Sequence, residues 1–145
     1  MARVEHSVVI NRTVEDVWAF MADPKNEAQW VSRVAESEVT SEGPIGAGAT
    51  LRYVRSFLGR RIEAELEVKE WEPNKRGSVK TISGPISLEG ARTFESVEGG
   101  TRVSETLEAD LQGFFKLAEP LVERTAKRLI ESDYEAVKKF LESQG

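Results

Sequence analysis

Residues 49–111 decide the fold: ATLRYVRSFL (49–58), RIEAELEVKEW (61–71), GSVKTIS (77–83), ISLEGARTFESV (86–97) and TRVSETLEADL (101–111) follow one another with only turn residues between. Apolar and polar side chains alternate along these runs, the pattern of half-buried strands. The separators include Gly59-Arg60, Glu72-Pro73-Asn74-Lys75-Arg76 and Gly99-Gly100, residue types whose backbones suit tight reversals. Upstream, Val34 to Ser41 reads as a weaker strand, and Glu42 to Gly48 as a loop. Its Gly46-Ala47-Gly48 is followed by no helix, so it is a plain loop and not a phosphate cradle.

The first strand is Val4 to Ile10, with Val4, His6, Val8 and Ile10 on one face. Thr13 then offers an N-cap side chain, and Val14, Val17, Trp18 and Met21 recur at helical spacing. Asp23-Pro24 repeats the start signal and opens a second short helix through Glu27 and Ala28 to Trp30-Val31. After Gly113 the period is helical again, with Ala118, Leu121, Val122, Thr125, Leu129, Ala136, Val137 and Phe140 forming a stripe to the chain end and Pro120 in the first turns or kinking them. Strand, two short helices, six strands and a long terminal helix make an α+β protein, an antiparallel sheet packed on one face by helix. No repeat or linker divides the 145 residues, so a single domain over 1–145 is expected.

The chain has no cysteine, which excludes disulfides, Fe–S clusters, thiolate zinc sites and Cys nucleophiles. One histidine, His6, excludes a multi-His metal centre, and a Ser-His-Asp triad would have to be built around it. No metal and no cofactor are expected. A net charge of −5 without a basic run argues against nucleic acid. Apolar runs such as Val8-Val9-Ile10 are far too short for a membrane span, and the N-terminal MARVEH has no signal-peptide character, so a cytoplasmic location is expected.

Element order and local motifs together resemble the START-like (SRPBCC) superfamily with its helix-grip (Bet v 1/START-like) fold, most of all its polyketide cyclase/dehydrase branch. The resemblance spans nearly the whole chain. It is carried by Thr13 to Trp18 after the first strand, Asp23-Pro24 through Trp30, Gly48, the Leu58-Gly59-Arg60-Arg61 hairpin, Val68 to Pro73, and Gly99-Gly100-Thr101-Arg102-Val103. It implies a curved seven-stranded antiparallel sheet gripping the C-terminal helix, with a cavity for an apolar small molecule between them. Members include lipid carriers, hormone receptors, aromatic polyketide cyclases, quinone-binding proteins and chaperone activators, so the fold does not select a function.

Hairpin register singles out the polar residues on apolar faces. A two-residue Gly99-Gly100 turn pairs Glu98 with Thr101, setting Phe94 opposite Glu105 and Arg92 opposite Leu107, so that Arg92 and Glu105 become diagonal neighbours. A Gly59-Arg60 turn likewise pairs Leu58 with Arg61, Arg55 with Ala64 and Tyr53 with Leu66, while Arg52 meets Glu67 and Ser56 meets Glu63 on the solvated face. The concave face then presents Arg55, Arg92, Glu105, His6 and Tyr53 among apolar residues including Phe94. Buried charge must be paired, hydrated or neutralised. Two readings stand side by side: an Arg92–Glu105 ion pair that satisfies itself at a wet wall, or an arginine that donates to a carbonyl, enolate or carboxylate of a ligand while Glu105 orients it.

His6 is a general base or a hydrogen-bonded wall residue. Trp18 belongs to the helix core, Trp30 lines the cavity mouth or packs, and Trp71 falls on the solvent-side parity of its strand. Phe114-Phe115 gates the entrance or staples the helix entry. Lys127, Arg128, Lys138 and Lys139 among Glu123, Glu131 and Glu135 read as a solvated helix face. Three functions follow: binding of a small hydrophobic or aromatic oxygen-bearing molecule; a polyketide-type cyclase or dehydratase using the same pocket; or a protein-interaction module resembling chaperone activators. Edge strands allow either a monomer or a homodimer.

Overall fold

Thr13 and Asp23 start the two helical segments as their side chains predict. Thr13 Oγ1 accepts from Asp16 N at 3.2 Å to begin α1 (Val14–Met21), and Asp23 Oδ1 accepts from Lys25 N at 3.0 Å to begin a 3₁₀ turn, Pro24–Asn26, that runs into α2 (Glu27–Trp30). The computed structural model describes residues 2–32 and 34–144; Met1, Arg33 and Gly145 lie outside the described residues. Before α1 comes β1 (Ala2–Ile10), and after α2 come β2 (Val34–Val39), β3 (Thr50–Phe57), β4 (Arg60–Glu72), β5 (Arg76–Ser83), β6 (Ser87–Val97) and β7 (Gly100–Asp110). Two helices close the chain, α3 (Gly113–Leu117) and α4 (Glu119–Ser143), broken at Ala118 with Pro120 in the first turn of α4.

The strands form one antiparallel sheet in the order β1-β7-β6-β5-β4-β3-β2, with α4 against β1. The far end of α4 is tied to the β1–α1 corner: Lys138 Nζ donates to Val9 O at 2.6 Å, Arg12 Nη1 to Leu141 O at 2.7 Å, and Asn11 N to Glu142 Oε2 at 2.9 Å. Lys138 therefore anchors the helix as well as pairing with Glu142.

Both hairpin registers differ by two residues from the sequence expectation. Leu58 (φ 51°) and Gly59 (φ 74°) form the β3–β4 turn and close Phe57 on Arg60, because a turn with both central residues left-handed matches strand twist and takes glycine readily at its second place. Glu98-Gly99 makes the β6–β7 turn and leaves Gly100 as a strand residue. There β1 passes so closely that a Cβ on Gly100 would stand 2.0 Å from Ile10 O. A two-residue shift preserves which face each side chain takes. It makes Arg92 and Glu105 direct partners instead of diagonal ones, and sets Phe94 opposite Val103, Arg55 opposite Ile62 and Tyr53 opposite Ala64. On the convex face Arg52 lies opposite Glu65 and pairs with Glu36 and Glu63 at 3.1 and 3.7 Å, while Ser56 lies opposite Arg61.

Trp71 corrects the strand-parity reading. Between Val68 and Glu70 the β4–β5 register slips by one, so that Lys69 and Glu70 are both exposed and Trp71 turns inward. Its ring meets Trp18 edge-on at 4.9 Å, and Trp18 meets Phe94 at 5.0 Å. The α4 stripe is also rotated from the expected one. Val122, Ile130, Asp133, Tyr134, Val137 and Leu141 are buried, whereas Leu121 and Phe140 are exposed.

Among the described residues the core falls into three patches. One lies under α1 and α4 (Ile10, Val17, Met21, Phe94, Val103, Tyr134), one beneath α3 and the start of α4 (Phe57, Ile62, Leu111, Phe115, Val122), and one across β3–β4 (Ala49, Leu51, Leu66, Val68). Side chains of all three face a common interior space.

Candidate functional site

That space is a cavity of about 340 Å³ between the concave sheet and α4, at the lower end of the roughly 300–1,000 Å³ typical of small-molecule pockets. Its walls are mostly apolar, with Leu51, Phe57, Leu66, Phe94, Leu107 and Ile130 among them. Ionisable side chains gather where α2 and the middle of α4 close over β3, β6 and β7.

Arg92 on β6 and Glu105 on β7 face each other across the ladder. Arg92 Nε and Nη2 both donate to Glu105 Oε1, at 2.9 and 2.7 Å. Tyr134, brought from α4, donates its hydroxyl to the same oxygen and accepts from Arg92 Nε at 3.1 Å. Arg92 Nη1 reaches Met21 O at 3.4 Å and stands 3.8 Å from Glu27 Oε1 on α2. Each Nη carries a second N–H, so the guanidinium retains donor capacity for a further acceptor. Its carbon also stands 5.0 Å from the Trp30 ring centroid, within cation–π range. Trp30 stacks on Tyr134 at 5.6 Å, and Tyr134 on His6 at 5.4 Å.

Beside this group lies a second polar corner. Arg55 Nη2 donates to Ser32 O at 3.2 Å, and Asp133 Oδ1 accepts from Ser32 N at 3.1 Å. Trp30 Nε1, Ser32 Oγ and Arg55 Nε are buried here without a hydrogen-bond partner among the described residues. Each such orphan costs on the order of 1–3 kcal/mol.

Burial and charge set the protonation states. Burial pushes the Glu27 carboxyl up to about 7; the Arg92 charge opposes this and Glu105 adds to it. Burial likewise raises Asp133, against the hydrogen bond from the Ser32 amide. The phenols of Tyr53 and Tyr134 are raised by burial and stay neutral. Burial works against the charge on Arg92, but Tyr134, Glu105 and Glu27 outweigh it and keep the guanidinium firmly protonated. Among the described residues no group of three His, Asp or Glu side chains is placed to hold a metal ion, and no helix is long and apolar enough to cross a membrane.

Of the residues singled out from sequence, Arg92, Glu105, Arg55, Tyr53, Trp30 and Phe94 line the cavity. His6 shares their face of the sheet, opposite Glu105 on β7, but stacks against Tyr134 and is not part of the wall. Phe114 is corrected outright: it is 43% exposed, lies outside the cavity and carries the Arg60 guanidinium 4.0 Å from its centroid, while Phe115 is the buried member of the pair. Sequence reasoning missed Glu27, Asp133 and Tyr134. A signal existed for each: Glu27 stands three residues before Trp30 and so shares its side of α2. Asp133 and Tyr134 fall on the stripe defined by Val122, Ile130, Val137 and Leu141, where an aspartate is out of place.

A curved antiparallel sheet closed by a long helix, with a cavity between them charged at one end, defines a helix-grip protein of the START/Bet v 1 type. The sequence matches the family model described as polyketide cyclase / dehydrase and lipid transport over residues 1–142, and the chain belongs to that family. Among solved structures it is similar to a Thermus thermophilus protein (23% identity over 99% of both chains, TM-score 0.84). It is also similar to a START superfamily protein from Mycobacterium smegmatis (16%, 100% of both chains, TM-score 0.80). A third is the Zhui aromatase/cyclase of a Streptomyces species (16%, 97% of this chain and 93% of that one, TM-score 0.77). Among curated proteins none matches the sequence.

Proposed function

We propose that the protein binds a small hydrophobic or aromatic molecule bearing at least one oxygen function, held between the sheet and α4. The observation that carries this reading is an open cavity of about 340 Å³ with mostly apolar walls and Arg92, Arg55, Glu27, Glu105 and Asp133 gathered toward one end. Apolar walls supply affinity through burial, and a few convergent polar groups fix orientation. Arg92 and Arg55 provide donors toward the ligand oxygen, and Glu105 with Tyr134 holds the Arg92 plane in place. Native mass spectrometry of the purified protein, followed by solvent extraction, tests it. A stoichiometric oxygen-bearing hydrophobe is the expected result. An empty protein that also fails to take up hydrophobic probes refutes it and favours an interaction module instead.

A second reading is a polyketide-type cyclase or dehydratase. It is favoured by Glu27, a carboxyl that exchanges its proton near neutral pH at 3.8 Å from the charged Arg92. Such a pair is suited to moving a proton on or off a carbonyl chain while the guanidinium stabilises an enolate oxygen. The similarity to an aromatase/cyclase supports this at the level of fold. Turnover of a poly-carbonyl substrate, lost in Glu27→Gln with binding retained, is the discriminating result.

A further inference from the structure

The charges at the cavity end do not balance. Among the described residues, two guanidiniums, Arg92 from β6 and Arg55 from β3, face three carboxyls, Glu27 from α2, Glu105 from β7 and Asp133 from α4, while Tyr53 and Tyr134 are neutral phenols on β3 and α4. Two of the carboxyls are already held by donors: Glu105 by Arg92 and Tyr134, Asp133 by the Ser32 amide. Glu27 is the remaining one. Its carboxyl makes no hydrogen bond among the described residues, its nearest cation is at 3.8 Å, it is 17% exposed, and it lines the cavity. The surplus negative charge in a low-dielectric site is relieved most cheaply by a proton on this group. A protonated carboxyl is a strong O–H donor, and this one faces the ligand space.

We propose that Glu27 is the proton-carrying ligand contact of the cavity, donating as a neutral carboxyl to the carbonyl oxygen of an uncharged ligand such as a ketone, aldehyde or quinone, and that carboxylate ligands are rejected. The inference rests on the binding reading above and narrows its ligand class. With Glu27 neutral, a ligand carboxylate would add a third anionic group beside two cations. A neutral carbonyl adds no charge and excludes water from Glu27, which favours the protonated form further. Binding above neutral pH therefore takes up a proton from solvent onto Glu27, and affinity declines as pH rises.

Three probes of one shape separate the possibilities by calorimetry: 2-acetylnaphthalene, 2-naphthoate and the hydrocarbon 2-isopropylnaphthalene. The expected result is that the ketone binds more tightly than both others, weakens roughly tenfold between about pH 6 and about pH 8, and takes up a proton at the higher pH, as one-site linkage requires. In Glu27→Gln, whose amide still donates but does not titrate, the ketone should bind with no pH dependence. Equal binding of ketone and naphthoate, a ketone affinity independent of pH, or a pH slope that persists in Glu27→Gln would each overturn the proposal. Hydrocarbon binding equal to the ketone's would leave the cavity reading standing and remove the role of Glu27. Binding of none of the three by folded protein would remove both.

Discussion

Removing the Arg92 side chain should expose how the buried charges depend on one another. Arg92→Met keeps most of the apolar stem but deletes both hydrogen bonds to Glu105 Oε1, the one to Tyr134, and the cation nearest Glu27. Glu105, whose side chain is 9% exposed, is then left as an uncompensated buried carboxylate. Breaking a buried pair from one side costs about 3–5 kcal/mol. Glu105→Gln keeps a carbonyl that can accept from Arg92, and Glu27 remains within 3.8 Å of the guanidinium, so its cost should be smaller, about 1–3 kcal/mol. The double variant removes both charges and should be less destabilised than the two singles combined, by about 2 kcal/mol or more. Urea denaturation near pH 7.5 measures all four corners of this cycle. The Arg92→Met penalty should also shrink on acidification, because Glu105 without its partner binds a proton in the folded state more readily than in the unfolded one. Additivity within about 0.5 kcal/mol, together with a penalty unchanged by pH, would refute the reasoning.

Glu27 makes a separate prediction about pH. Its folded-state value of about 7 exceeds the ordinary 4.5, so folding takes up a proton between the two. The associated stability is fully present below about pH 4.5 and is lost as pH rises to about 7, a change on the order of 3 kcal/mol that Glu27→Gln should largely abolish in a pH series of denaturation curves. Gly100→Ala places a Cβ 2.0 Å from Ile10 O at a φ of 136°, and should cost at least about 3 kcal/mol and loosen β1 from β7, seen as lost amide-exchange protection along β1. Phe115→Ala empties a buried site and should lower stability by about 3–5 kcal/mol, whereas Phe114→Ser, on the surface, should change it by less than about 1 kcal/mol. Comparable losses for the two would contradict the assignment of Phe115 as the core member.

What the chain's sequence determined by itself is what local chemistry determines. Period-two alternation specified the strands and, up to the bulge at Lys69, the face that the side chains of β3 and β4 take. The side chains of Thr13 and Asp23 specified where helical segments begin. The element order identified the family. The closeness of Arg92 to Glu105 was legible too, since a register error of two residues leaves face parity intact. Tertiary structure alone decided the rest, because it depends on contacts between residues far apart in the chain. Gly100 is drawn into β7 by the close passage of Ile10, which moves the turn to Glu98-Gly99. Pairing with β5 admits the bulge at Lys69, and one extra residue is enough to turn Trp71 from solvent to cavity. The rotation of α4 about its axis, set by its packing on β1, carries Asp133 and Tyr134 inward, where Tyr134 stacks on Trp30 and the charge of Asp133 acts on Glu27, both on a helix more than a hundred residues earlier. A cavity of about 340 Å³ is likewise a property of how three core patches fail to meet, and periodicity along one strand carries no record of volume between elements.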